Sequence, residues 1–275
     1  MHSLLFKIGE ISVFSYGLCM AIGFLAAWQV AIMLCRQTGR NADQLTTLIT
    51  WLMISAISGA RLAYVIEHWE AEFASDPFSI IMLNQGGLMF YGGFIAAAIF
   101  TGLYVSIKKI NLFEISDILL SVLPLGHAFG RIGCFMHGCC YGKVTQSSLG
   151  VCFPAQSPAW WEQTQKGLIA ENALKSLPVI PTQLIESAAN LLLFGVMLVV
   201  FKKNHAKKGF ASGVYLVSYA FIRFCVEFLR GDPRAMLGPL SISQAISLGV
   251  AAAGIFIIAY SIKISRQHTE QKTGL

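Results

Sequence analysis

Gly126-His127-Ala128-Phe129-Gly130-Arg131-Ile132-Gly133-Cys134-Phe135-Met136-His137-Gly138-Cys139-Cys140-Tyr141-Gly142-Lys143 is the stretch whose reading decides the fold. It follows an apolar run, yet it holds one arginine, two histidines, three cysteines and five glycines. A segment built only for anchorage has no use for a guanidinium, which costs about 3 kcal/mol at bilayer depth unless a partner or a wet cavity receives it. The stretch therefore reads as a functional site inside a membrane helix.

The surrounding composition agrees. Of 275 residues, 55% are hydrophobic and only 12% charged, and the mean hydropathy is +0.63. That is too apolar for a soluble domain. The few charges fall between apolar runs long enough to cross about 30 Å of hydrocarbon, and a dry backbone that satisfies its own hydrogen bonds is helical. The net charge of +6 comes with no basic stripe interleaved with aromatics, so it argues for loop bias and against nucleic acid.

Seven spans are predicted: residues 12–34, 45–66, 87–107, 115–136, 181–201, 213–229 and 240–262. The first is expected to be retained, since it lacks a small-residue cleavage site. With loops assigned alternately, one side carries Arg36, Arg40, Lys108, Lys109, Lys202, Lys203, Lys207, Lys208, Lys263, Arg266 and Lys272. The other carries only Lys7, Lys143, Lys166, Lys175, Arg230 and Arg234. The positive-inside rule then puts the N-terminus outside and the C-terminus in the cytoplasm. The chain is expected to be one transmembrane domain over residues 1–275, with residues 138–180 as a small extracytoplasmic cap and Trp160 and Trp161 at the interface.

Three arginines fall inside spans, Arg61, Arg131 and Arg223, all toward the outer ends, so they are expected to share one pocket. Tyr219, Arg223 and Glu227 recur every four residues and lie on one helical face. Arg223 with Glu227 reads either as a self-neutralising pair or as part of a site. Three guanidiniums against Glu186 and Glu227 leave an excess of positive charge that asks for an anion, and a phospholipid phosphate matches the planar fork of arginine. Glu186, in the first turns of its span, either complements the helix dipole or, with Gln183, orients an arginine or a headgroup. Gly126, Gly130 and Gly133 strip one side of the fourth span for close approach. Gly86-Gly87 and Gly92-Gly93 are expected to loosen the start of the third. Cys134, Cys139, Cys140 and Cys152 with His137 admit a disulfide, a zinc site at spacings matching no standard pattern, packed thiols or a nucleophile. His127, one turn before Arg131, is either a proton carrier or a satisfied helix residue.

These residues resemble the bacterial prolipoprotein diacylglyceryl transferase family. The similarity runs from Tyr16-Gly17 and Gly59-Ala60-Arg61 through Tyr91-Gly92-Gly93, Gly130-Arg131-Ile132-Gly133, Gly138 and Gly142 to Pro181-Thr182-Gln183-Leu184-Ile185-Glu186 and Tyr219 to Phe228. What it implies is an all-α polytopic protein of the bacterial inner membrane, with about seven helices and an active site facing the outer leaflet. The implied activity transfers the diacylglyceryl group of phosphatidylglycerol to the thiol of a lipobox cysteine in a prolipoprotein signal peptide, releasing glycerol phosphate. It implies membrane lipids as surroundings, no nucleic-acid partner, and no metal or organic cofactor.

By the same resemblance Arg131, Arg223, Tyr91 and Glu227 form the expected catalytic set. Tyr16, Arg61, Gly92, Gly93, Cys134, Gly142, Gln183, Glu186 and Tyr219 form the expected substrate-binding set. The chain departs from the family pattern at Tyr91, where a histidine proposed as a base is usual, at Cys134 (usually asparagine) and at Cys139 (usually an acid). His127 and His137 are the candidate replacements for that base. Two other readings keep these departures in view: a relative with another acceptor or a thiol redox membrane protein, and a non-enzymatic lipid binder or transporter.

Overall fold

In a computed structural model that describes residues 4–8, 11–82 and 86–273, helices dominate. Seven of them are long and apolar enough to cross a membrane, matching the seven predicted spans. They are α1 (Ser15–Gln37), α2 (Ala42–Glu67), α3 (Phe90–Lys108), α4 (Leu112–His137), α6 (Thr182–Asn204), α7 (Phe210–Glu227) and α8 (Ile242–Thr273). A short α5 (Pro158–Gln165) lies between α4 and α6. Two small antiparallel sheets, unforeseen in the sequence, complete the fold: β1 (Leu4–Ile8) with β2 (Ile11–Phe14), and β3 (Met236–Leu237) with β4 (Leu240–Ser241).

Local chemistry sets the helix ends. The Asn41 side chain accepts from Gln44 N and caps α2, and Asn111 Oδ1 accepts from Phe113 N and Glu114 N at the start of α4, as expected of N-caps. The third span starts at Phe90 and not at Gly87, because Gly86 and Gly87 have φ of 83° and 77° and cannot extend a right-handed helix. α8 runs well past the predicted end at residue 262.

Two compact units make up the chain, Ile32–Ile115 and the remainder, Met1–Ala31 with Ser116–Leu275. In the first unit, α2 and α3 pack through Gly59, Gly92 and Gly93. A Cβ on Gly92 would lie 2.5 Å from Gly59 O, and one on Gly93 2.8 Å from Ala56 O. These glycines bring two backbones together and do not loosen α3. Arg61 is buried here. Its Nε donates to Ile80 O (2.8 Å), Nη1 to Gly86 O (2.7 Å) and Gly87 O (3.1 Å), and Nη2 to Ser79 O (2.6 Å). The guanidinium also lies over the Tyr64 and Phe73 rings. Arg61 thus ties the connection before α3 to α2.

In the second unit, α7 follows Gly209, which has no side chain to cap it. The cap comes from α4: Asp117, buried, accepts from Gly209 N (2.7 Å), Ser212 N (2.7 Å) and Ser212 Oγ (2.6 Å). A carboxylate on helix N-terminal amides is favoured by both hydrogen bonding and the helix dipole. Asp117→Ala strands buried donors and is expected to cost about 2–4 kcal/mol, read as a lower thermal unfolding midpoint in detergent; an unchanged midpoint would refute the cap.

Residues 138–180 fold on a small core of Tyr141, Phe153, Ala159 and Val179, with Phe135 packed against it. Isolated bridges join Val144 and Val151 to Val179, and Gly142 to Arg230. Ser157 caps α5, with Pro158 at its first turn. Trp160 departs from its expected interfacial place. It is buried, and its Nε1 donates to Ala173 O at 2.7 Å, which satisfies an indole inside this core. Trp161 remains exposed. Burial and the Glu162 carboxylate, hydrogen-bonded to its hydroxyl, push the Tyr141 phenol well above its usual range.

Candidate functional site

The central group is Glu186, which α6 places one turn inside its N-terminus with only 1% of its side chain exposed. Its Oε1 lies 3.1 Å from Arg131 Nη2 and 3.7 Å from His127 Nε2 on α4. Its Oε2 lies 4.0 Å from Arg223 Nη1 on α7. Arg223 Nη2 in turn pairs with Glu227 Oε2 at 2.8 Å and donates to Ser243 Oγ on α8 at 3.2 Å. Four helices therefore converge on one charged cluster.

The cluster continues into the segment after α7. Arg234 Nε lies 3.8 Å from Glu227 Oε1, and Arg234 Nη2 lies 3.1 Å from Asp232. Asp232 is also held by Arg230 Nε and Nη2 at 2.8 and 2.7 Å, a two-pronged contact. Arg131, Arg223, Arg230 and Arg234 face Glu186, Glu227 and Asp232. Four cations against three anions leave one positive charge over.

That surplus has unused donors. Arg131 Nε, Arg223 Nη1 and Arg234 Nε are buried without a hydrogen-bond acceptor among the described residues, and the carboxylate oxygens of Glu186 and Glu227 face the guanidiniums as ion pairs without hydrogen-bond geometry; the guanidiniums outnumber the carboxylates. Buried donors of this kind cost about 1–3 kcal/mol each until an acceptor arrives. A surplus of guanidinium forks suits an anion with several oxygens.

The Tyr219 ring stacks on Tyr215 at 5.7 Å and approaches the His127 ring at 5.2 Å, so it bounds the cluster on the α7 side. Gln183 and Thr182, in the first turn of α6, donate to Cys139 O at 2.7 Å and Cys140 O at 2.9 Å. Tyr16, on α1, packs on α4 where a Cβ at Gly133 would lie 3.0 Å from its ring. At Gly142 a Cβ would meet Ile180 O at 2.7 Å and Leu229 O at 2.8 Å, so this glycine is a close backbone crossing. The structure thus brings together Arg131, Arg223, Glu186, Glu227 and Tyr219 from the predicted set, with Cys134 one turn beyond Arg131. Arg61, Tyr91, Gly92 and Gly93 belong to the other unit; Tyr91 is exposed on α3.

Arg234 and Ser243 were not among the predicted site residues. The signal for Arg234 lay in the dense Arg230-Gly231-Asp232-Pro233-Arg234 run just after Glu227, whereas a lone serine such as Ser243 carries none. Beside the cluster, the Cys134, Cys139 and Cys140 thiols gather within 4.8 Å of one another. The adjoining Cys134 and Cys139 thiols, with the Arg230 guanidinium nearby, hold the Cys140 thiol below its usual range.

Together these features define a polytopic membrane protein with a buried carboxylate–guanidinium cluster of net positive charge. Residues 3–260 match the sequence profile of the prolipoprotein diacylglyceryl transferase family, and the chain belongs to that family. It is 33% identical to phosphatidylglycerol–prolipoprotein diacylglyceryl transferase 2 of Clostridium perfringens, over 99% of this chain and 100% of that one. It is 31% identical to the phosphatidylglycerol–prolipoprotein diacylglyceryl transferase of Xanthomonas campestris pv. campestris (93% and 90% covered) and 32% identical to that of Clostridium tetani (94% and 96% covered).

Proposed function

We propose that the protein transfers the diacylglyceryl group of phosphatidylglycerol to the thiol of a lipobox cysteine in a prolipoprotein signal peptide. The observation that carries this reading is the surplus guanidinium charge with the unmatched donors of Arg131 and Arg223. In the reaction the thiol sulfur bonds to the glyceryl carbon, the carbon–oxygen bond to phosphate breaks, and glycerol phosphate leaves. The phosphate enters as a singly charged diester and departs with a further negative charge. Donors that fit the leaving state better than the bound lipid lower the barrier, and Arg131 and Arg223 supply them. Glu186 and Glu227 hold those guanidiniums in place.

The thiol proton needs an acceptor. His127 lies against both Glu186 and Tyr219 within the charged cluster, while His137, the last residue of α4, is exposed. We assign the role to His127. His127→Asn is expected to lower kcat by about 100-fold or more and His137→Asn to leave it unchanged; the reverse order would move the base to His137.

Seven apolar helices and membership of the family support a cytoplasmic-membrane location, and the distribution of Lys and Arg supports the N-terminus outside and the site toward the outer leaflet. The direct test uses purified protein in detergent with phosphatidylglycerol and a lipobox peptide. A thioether product by mass spectrometry, and restored lipoprotein maturation in cells depleted of their own transferase, are expected. Lipid binding without thioether would favour a transporter instead.

A further inference from the structure

We propose that Cys134, Cys139 and Cys140 form a binding site for a thiophilic closed-shell cation, zinc(II) or copper(I). The Cys-x4-Cys-Cys spacing matches no standard metal pattern, and it is the chain reversal after α4 that makes a site of it. Gly138, with φ of 84°, and Cys140, with φ of 62°, both adopt the left-handed region. Gly138 N and Cys139 N both donate to Cys134 O, at 2.9 and 3.2 Å, so the two later cysteines fold back over the first. A non-glycine residue at positive φ is held there by its surroundings. Here the holding contacts are the α6 donors Thr182 Oγ1 to Cys140 O and Gln183 Nε2 to Cys139 O.

The result is three free, half-buried thiols whose Sγ atoms lie within 4.8 Å of one another. A zinc ion with Zn–S bonds of about 2.3 Å needs its sulfurs about 3.8 Å apart, so each separation has to contract by about 1 Å at most. Sulfur-only ligation favours copper(I) and zinc over harder cations. Three protein ligands leave a tetrahedral zinc one open position.

The outer shell is also in place. The Arg230 guanidinium lies within electrostatic reach of Cys140 while its Nε and Nη2 are fixed on Asp232, and a cation held in this way tunes neighbouring metal ligands. Three thiolates with zinc(II) carry a net negative charge, which Arg230 and Arg131, both within electrostatic reach of Cys140, offset. Cys134 and Cys139 stand where the family resemblance leads to asparagine and an acid, so the site marks this chain apart from that pattern. It does not depend on the transferase reading, and its test is independent of activity.

The test is titration of the reduced, full-length protein in detergent with cobalt(II) as a zinc probe, and with copper(I) against a chelator of known affinity. One equivalent of cobalt with a sulfur-to-cobalt charge-transfer band, displaced by zinc, or one equivalent of chelator-competing copper, is expected. Cys134→Ser, Cys139→Ser or Cys140→Ser should each weaken binding by at least about 100-fold, and Arg230→Gln by about tenfold, with Cys152→Ser neutral. In the unsubstituted protein zinc, but not magnesium, should shield the three thiols from iodoacetamide. Metal binding no tighter than that of the triple serine variant, zinc giving no shielding, or a disulfide between two of the three in the isolated protein would each overturn the proposal.

Discussion

Arg131→Ala and Arg223→Ala are each expected to lower transfer to a lipobox peptide by about 100- to 1,000-fold, with most of the loss in kcat. Each removes a guanidinium with a donor that is buried without an acceptor among the described residues, and, on the proposed function, each deletes charge that would meet the leaving phosphate. Two controls separate chemistry from folding. Arg131→Lys and Arg223→Lys keep the charge but lose the two-pronged geometry, so they should fold like the parent and still lose most of their activity. Arg234→Ala, further along the cluster and 28% exposed, should lose less. Near-normal activity in both alanine variants would remove the phosphate role altogether. A collapse of the folded protein in the alanine but not the lysine variants, with the lysine variants fully active, would mean that charge alone suffices.

The sequence carried the spans plainly because a 20-residue apolar run has few other uses, and Arg223 with Glu227 was legible because four residues on a helix return to the same face. Arg131 could be singled out by its cost in an apolar setting. The partner it meets could not. Glu186 reads equally well as a dipole complement in the first turn of α6, and only the docking of α6 on α4 and α7 turns it into the carboxylate between two arginines. Arg61 shows what a span position leaves unsaid. Its position inside a span suggested a shared phosphate pocket; in its own unit its donors meet the carbonyls of Ser79, Ile80, Gly86 and Gly87. Trp160 was misplaced for a related reason: an indole near a membrane interface and an indole in the small core of residues 138–180 look alike until Ala173 O is seen beneath it. The cysteines left four readings open because none of them depends on spacing alone; the reversal at Gly138 and Cys140 is what gathers the thiols.

Glu186→Gln is expected to separate binding from catalysis. Glutamine keeps the shape of the side chain but removes its charge, so the surplus in the cluster rises from one positive charge to two and Arg131 loses its 3.1 Å anchor. The anionic lipid is then attracted at least as strongly in the ground state, whereas the guanidinium that must follow the departing phosphate is no longer fixed. KM for phosphatidylglycerol should hold or fall while kcat drops by about 10- to 100-fold, or about 1.4–2.8 kcal/mol of barrier. Glu186→Ala adds a loss of stability of about 3–5 kcal/mol, since both arginines stay buried with less compensation, and should unfold at a lower temperature than the glutamine variant. The kinetic split decides the role. A raised KM with kcat preserved would mean that Glu186 contacts the glycerol headgroup directly, whereas a lowered kcat at constant or lower KM leaves it as the residue that holds Arg131 and Arg223 in register for the leaving phosphate.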